Sequence, residues 1–413
     1  DEYKENGLGA MGLFMNLFIA SMNVLVVADN AFWFLVFFEL MSLTSYFLVV
    51  VEQKKQSIKG GFMYLVMAHV GFLMIMISYF IMASQTGSFE FAAYRVHDFG
   101  PALGSLAFVL AFFGFGCKAG MVPFHSWLPQ AHPAAPSNVS ALMSGGMIKI
   151  GVFGIIKVGL DLLSGTDCML WWGLLVLVVG AVSSVLGVVY ALGEHDIKKL
   201  LAYHSVENIG IVALFLGFGG PLGIAAALLH CVTHGLTKSF LFCLSGNVLM
   251  KYGTRDLNEI SGVLKAMPAT GVLLAMGFFA LAGFPPFAMF VSEITGITAG
   301  VMDGRWIVLA IFVIALTIVV AACAHVVTAA VFGKVPDHIK KGDVGVAALV
   351  PEIILAVTLL WFGVAAPQPM LQCVEDATGI VTQSSTEALH ETPVVNILFS
   401  QTDGASAGMK VER

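Results

Sequence analysis

The sequence predicts an all-α polytopic membrane protein of about eleven transmembrane helices, arranged as two inverted five-helix repeats that each contain a discontinuous helix. Three observations carry that expectation. Of 413 residues, 58% are hydrophobic and only 11% charged, and the mean hydropathy is +0.90; a soluble domain carries about 25% charged residues. Apolar runs of roughly twenty residues, the length that crosses a bilayer as a helix, recur along most of the chain. Two of those runs are too long for one straight helix and hold glycine and proline breakers in matching places.

In order, the spans read as residues 8–29, 31–51, 59–82, 101–130, 138–160, 169–192, 200–219, 222–250, 266–302, 305–332 and 344–366. The fourth contains Gly114, Gly116, Gly120 and Pro123, and the ninth contains Gly283, Pro285 and Pro286. Each is read as a broken helix that crosses once. Residues 1–160 then make a first five-helix unit and 161–333 a second, followed by an additional span (334–366) and a polar tail (367–413), soluble or disordered. Five crossings is an odd number, so the second unit enters from the opposite face. Broken helices at corresponding positions of such inverted repeats point to a transport site.

Short-loop lysines and arginines fix the orientation. Lys54, Lys55 and Lys59 follow the second span, and Lys198 and Lys199 the sixth. Lys251, Arg255 and Lys265 follow the eighth, and Lys334, Lys340 and Lys341 the tenth. All fall on one side, read as cytoplasmic, while the opposite loops offer Arg95 and Arg305. The formal net charge of −6 gives no footprint for nucleic acid. Six cysteines (Cys117, Cys168, Cys231, Cys243, Cys323, Cys373) form no CxxC, which indicates neither a metal site nor a disulfide framework. The chain opens on "DEYKENG", with no initiator methionine and no signal-peptide pattern, and is expected to begin partway into a longer protein.

The chemistry lies in ionisable residues at mid-membrane. Glu39 sits inside the second span, Lys118 near the break of the fourth, and Lys149 near the middle of the fifth. His204 and Glu207 are neighbours on the seventh, His234 and Lys238 share a face of the eighth, Glu293 follows the break of the ninth, and His325 lies on the tenth. At about 1.5 Å per residue, Lys149 is roughly 16 Å from either helix end, too far to snorkel. A charge at the helix centre costs on the order of 3 kcal/mol on insertion scales. Such residues face the bundle interior, where a carboxylate moving toward or away from a desolvated lysine loads or ejects a proton and histidine shuttles between sites. A structural ion pair explains one such residue more readily than a series over six spans. His69 and His325 read equally well as hydrogen-bonded core histidines. His230 and His234 have helical spacing but no third ligand for a metal.

The stretch "KAGMVPFHSWLPQAHPAAPSNVSALMSGGMIKIGVFGI", with "FFELMSL" upstream and "DIKKLLAYHSVENIGI" downstream, resembles the antiporter-like subunits of respiratory complex I, the Mrp-type sodium/proton antiporters and the membrane-bound group 4 [NiFe] hydrogenases. The flavour is nearest to hydrogenase-4 and formate hydrogenlyase membrane subunits, and the likeness spans roughly residues 10–335. It implies a glutamate–lysine pair at Glu39 and Lys118, a central lysine at Lys149, a relay at His234 and Lys238, and an acidic exit residue at Glu293. It also implies a subunit without redox cofactors of its own, working in a bacterial or archaeal plasma membrane beside other membrane subunits. A hydrophilic arm would carry the Fe–S clusters and [NiFe] centre. Family members carry three further helices ahead of the first span and a long lateral amphipathic helix after the last, neither of which is read here. Part of the second half reads closer to a sister subunit of the same complexes.

The expected function is therefore proton translocation in a complex I-like, hydrogenase-linked or NADH-quinone oxidoreductase complex. The rivals are a Mrp-type Na+/H+ antiporter subunit and a scaffold that anchors a hydrogenase without pumping.

Overall fold

The computed structural model describes residues 7–166, 169–384, 386 and 389. Cys168 and the expected tail beyond residue 389 lie outside the described residues. Among these, every regular element is helical, and ten helices are long and apolar enough to cross a membrane. The crossing helices are α1 (Leu8–Val27), α2 (Ala31–Val49), α3 (Lys55–Thr86) and α4 (Gly100–Ala119), which a break separates from α5 (Leu128–Ala134). They continue with α6 (Ser137–Leu162), α7 (Met169–Leu192), α8 (Ile197–Phe218) and α9 (Gly220–Tyr252). The second broken crossing is α10 (Pro268–Leu281) and α11 (Ala288–Met302), followed by α12 (Trp306–Val331) and α13 (Val346–Val364). Nine continuous helices and the two broken ones make the eleven crossings the sequence predicts.

The inverted repeat is visible in its details. Asn30 caps α2 by accepting from the amides of Phe32 and Trp33, and its backbone bridges to Glu90 beyond α3. Asp196 caps α8 by accepting from Lys198 and Lys199, and its backbone bridges to Asp256 beyond α9. The same device thus closes each unit at opposite ends of the bundle. Both breaks read Ala-Gly-x-x-Pro-Phe, Ala119 to Phe124 and Ala282 to Phe287. The glycine of each turns left-handed, φ 80° at Gly120 and φ +67° at Gly283, a region that penalises any Cβ. Val122–Pro123 and Pro285–Pro286 are cis.

The loop charges sort by end as expected. Arg255 pairs with Asp196 (3.2 Å) and donates to the Pro133 carbonyl, while Lys251 donates to the Gly342 carbonyl at 2.6 Å. At the opposite end Arg95 joins Asp161 (2.8 Å) and Asp29 (3.2 Å). Two details differ from the sequence reading. Lys198, read as a loop charge, is 1% exposed: α5 folds back over the start of α8, and the Lys198 ammonium donates to the Ala135 carbonyl at 2.9 Å. The stretch read as a polar tail opens with an amphipathic helix, α14 (Gln368–Thr382), whose Leu371 and Val374 are buried. Its short apolar stripe was hidden among polar residues.

Candidate ion-translocation site

The first polar cluster forms at the first break. Gly120 ends α4, which leaves Lys118 in its last turn, 2% exposed. The Lys118 ammonium donates to Ser42 Oγ on α2 (2.9 Å) and to the Tyr64 hydroxyl on α3 (2.7 Å), and stands 5.0 Å from the centroid of the Tyr64 ring. Two charge-assisted hydrogen bonds and a ring face offset part of the desolvation of the cation. The Tyr64 hydroxyl lies 2.6 Å from Ser45 Oγ, extending the cluster along α2.

Glu39 does not pair directly with Lys118. Its Oε1 lies 2.9 Å from His69 Nε2 on α3, and its Oε2 has no hydrogen-bond partner among the described residues. Ser42, one turn along α2 from Glu39, takes the ammonium, and the carboxylate leans outward. Glu39 and His69 are 21% and 45% exposed, on the outer face of α2 and α3.

The second cluster forms where α6 and α9 touch. A Cβ on Gly235 would lie 2.8 Å from the Gly145 carbonyl oxygen, so this approach needs glycine. It sets Lys149 Nζ 2.9 Å from His234 Nδ1. Lys149 also donates to the Ser144 carbonyl at 2.5 Å. A π-helical turn over Met143–Met147 loosens the carbonyl ladder of α6 there; such turns recur at functional sites.

From Lys149 the network runs in two directions. Ser144 Oγ lies 2.8 Å from Ser205 Oγ on α8, Ser205 donates to the Leu201 carbonyl (3.1 Å), and that carbonyl accepts from Lys238, which is fully buried (2.8 Å). The other branch passes from His234 to the stacked ring of His230, 6.2 Å away between centroids. His230 lies 2.9 Å from Ser292 Oγ on α11 and 3.0 Å from Asn208 Oδ1 on α8. Asn208 Nδ2 donates to Glu207 Oε2 (2.6 Å), which is 3.3 Å from His204 Nδ1. Glu293 follows Ser292 along α11, is 5% exposed, and packs against the second break so closely that a Cβ on Gly283 would collide with its carboxylate.

Lys149, His204, Glu207, His234 and Lys238 therefore form one connected network. Lys118 heads a neighbouring cluster, Glu39 sits at its edge, and Glu293 adjoins the break formed by Pro285 and Pro286, as Lys118 adjoins that of Pro123. His325 stands apart: it is exposed on α12 and lines an open recess with His195. The hydroxyls and amide that join the network (Ser42, Tyr64, Ser144, Ser205, Asn208, Ser292) were not legible as functional. Their one signal was position on the helix faces that carry the titratable residues.

A bundle with two broken helices, and with lysines and histidines linked across its interior, defines an antiporter-like membrane subunit. The chain belongs to the transmembrane family described as NADH:quinone oxidoreductase/Mrp antiporter, which it matches over residues 28–319. It is 50% identical over 303 residues to hydrogenase-4 component B of Escherichia coli (strain K12), covering 71% of this chain and 45% of that one. Formate hydrogenlyase subunit 3 of the same organism is 35% identical over 293 residues, 68% of this chain and 47% of that one. The chain thus spans less than half the length of both relatives. In fold it matches a chain of the Mrp complex from Dietzia sp. DQ12-45-1b with a TM-score of 0.83 at 24% identity, covering 91% of this chain and 78% of that one.

Proposed function

We propose that the chain translocates protons across a bacterial or archaeal plasma membrane, as a non-redox subunit of a complex I-like, hydrogenase-linked complex. The observation that carries the reading is Lys149, half-buried in an apolar bundle and held by His234. A neutral imidazole nitrogen facing an ammonium at hydrogen-bond distance is a proton acceptor in waiting. His234 touches Lys149 and lies one turn before Lys238 on α9, so it is the group through which a proton passes between them. The Ser144–Ser205 link and the Leu201 carbonyl hold the two lysines in register; a carbonyl fixes an ammonium but does not relay its proton. Glu207 and Glu293 lie on the far side of His230 and receive the proton toward the second break.

In this reading the electrons move elsewhere, in partner subunits that carry Fe–S clusters and a [NiFe] centre. The Glu39–His69 pair supports a neighbouring membrane subunit. A partly exposed titratable pair is costly against hydrocarbon, so another protein surface covers it. The test is electron-transfer-driven proton uptake by the intact complex in vesicles, with and without sodium. Equal uptake in both supports proton translocation; uptake that requires sodium moves the chain to the sodium/proton antiporter reading.

A further inference from the structure

Trp172 has no part in the network. It lies near the start of α7, is 2% exposed, and its indole Nε1 has no hydrogen-bond partner among the described residues. The ring is fixed in place, stacked on Phe108 of α4 at 4.4 Å between centroids and 10° between planes. Trp171 closes on it edge-on, at 6.2 Å and 84°. Buried polar atoms are rarely left unpaired, so this N–H calls for an acceptor that the described residues do not supply.

The surroundings leave room for one. Trp172 lines a partly open cavity of about 340 Å³ at the end of the bundle opposite the basic loops. It lies between α4, α6, α7, α8 and the start of α9, and the end of α14 closes over it. Phe108, Ile155, Val176 and Ile224 give it apolar walls, and cavities lined by such residues stay dry and take apolar guests. From Trp172 to Val176 on α7, and from Gly159 to Ile155 on α6, each wall runs one turn, about 6 Å, into the bundle. The hydroxyls of the lining are engaged within their own segment: Thr382 donates to the Thr378 carbonyl (2.8 Å) and Ser384 to Thr382 (2.9 Å). Gly173 widens the space. Outside α7, the nearest atom to a Cβ there would be the Gly217 carbonyl oxygen, 4.0 Å away. The chain's own packing therefore does not require glycine, which is a poorer helix residue than alanine.

The level of the cavity fits a lipid. Trp172 stands three residues past the start of α7, about 4.5 Å along the helix, and Trp171 beside it is 40% exposed. Tryptophans gather where headgroups meet acyl chains. The acceptors a bilayer offers at that depth are acyl ester carbonyls, each leading into a flexible apolar chain. We propose that the cavity seats one acyl chain of a membrane phospholipid, whose ester carbonyl accepts the hydrogen bond of Trp172 Nε1. The chain runs from Trp172 down between Ile155, Val176 and Ile224. The lipid thereby joins α4 and α6 of the first unit to α7, α8 and α9 of the second, under the cover of α14.

The test uses the intact complex in phosphatidylcholine nanodiscs doped with a phosphatidylcholine that carries a diazirine on one acyl chain. After illumination, labelled residues are mapped and quantified by mass spectrometry. The expected result is labelling of Phe108, Ile155 and Val176, which are buried from the bulk bilayer. Gly173→Leu fills the cavity, and Trp172→Phe keeps the stack on Phe108 while removing the N–H. Each should lower that labelling roughly fivefold or more, as loss of the space or of one hydrogen bond implies. Labelling at Ile307 and Ile314, exposed on α12, should stay constant and controls for access to the lipid. Undiminished labelling of the buried residues in either variant overturns the proposal, and where one variant fails to assemble the other decides. Absence of that labelling in the wild type also overturns it, leaving the cavity to water. So does its suppression by an added short-chain quinone, which would make a quinone carbonyl the acceptor.

Discussion

At the residue scale, three cations of the polar clusters, Lys118 and Lys238 buried and Lys149 half-buried, are held by different sets of groups. Lys118 has two hydroxyls, Lys149 an imidazole and a carbonyl, and Lys238 a carbonyl. Of the three, Lys149 alone has an imidazole at hydrogen-bond distance, which makes it the pivot. Ser205→Ala removes the Ser144 contact and is expected to cost about 1 kcal/mol of stability, while loosening the register of Lys149 and Lys238. Thermal unfolding of the purified complex measures the first effect, and a several-fold slower proton uptake the second. The charged members were legible in the sequence because an ionisable residue stands out in an apolar run. The serines and Asn208 were not, because small polar residues also serve helix packing in membranes. Lys198 was misread for the opposite reason: its place after the Asp196 cap looks like a loop charge until α5 covers it.

At the element scale, two glycine positions decide whether the site exists. Gly235→Leu forces α9 off Gly145 and is expected to destabilise by about 1–3 kcal/mol through overpacking. It also parts Lys149 from His234, so uptake should fall at least tenfold even at temperatures where the complex stays folded. Gly283→Ala meets both a left-handed backbone and the Glu293 carboxylate. Its expected cost is about 1–2 kcal/mol, and a comparison with Glu293→Gln tells whether backbone strain or the displaced carboxylate governs activity. Span positions and both breaks were readable because apolar length, glycine and proline act locally. The short α5 and the amphipathic α14 were not, because each owes its placement to tertiary contacts rather than to a long apolar run.

At the scale of the whole molecule, two units of opposite direction meet along α6, α8 and α9, and the lysine–histidine network lies on that seam. The topology followed from counting spans and loop charges. The correspondence of particular residues is sparser: the Ala-Gly-x-x-Pro-Phe breaks recur in the sequence of both halves, while Asn30 and Asp196 show themselves as equivalent caps once the chain is folded. If Asn30 and Asp196 are equivalent devices, Asn30→Ala and Asp196→Ala should each cost about 1–2 kcal/mol as lost caps. The double variant should show the sum, because the two sites lie at opposite ends of the bundle. A marked excess over the sum, seen in thermal unfolding, would mean that the two units do not fold as separate modules.

The most direct measurement is proton translocation by the intact complex in proteoliposomes, wild type against Lys149→Ala, with electron transfer and assembly followed in the same preparation. The account expects assembly to persist and the protons moved per electron to fall at least tenfold, because the group paired with His234 is gone. Unchanged translocation in an assembled Lys149→Ala complex would contradict it, and would make the cations of the bundle packing elements of a scaffold.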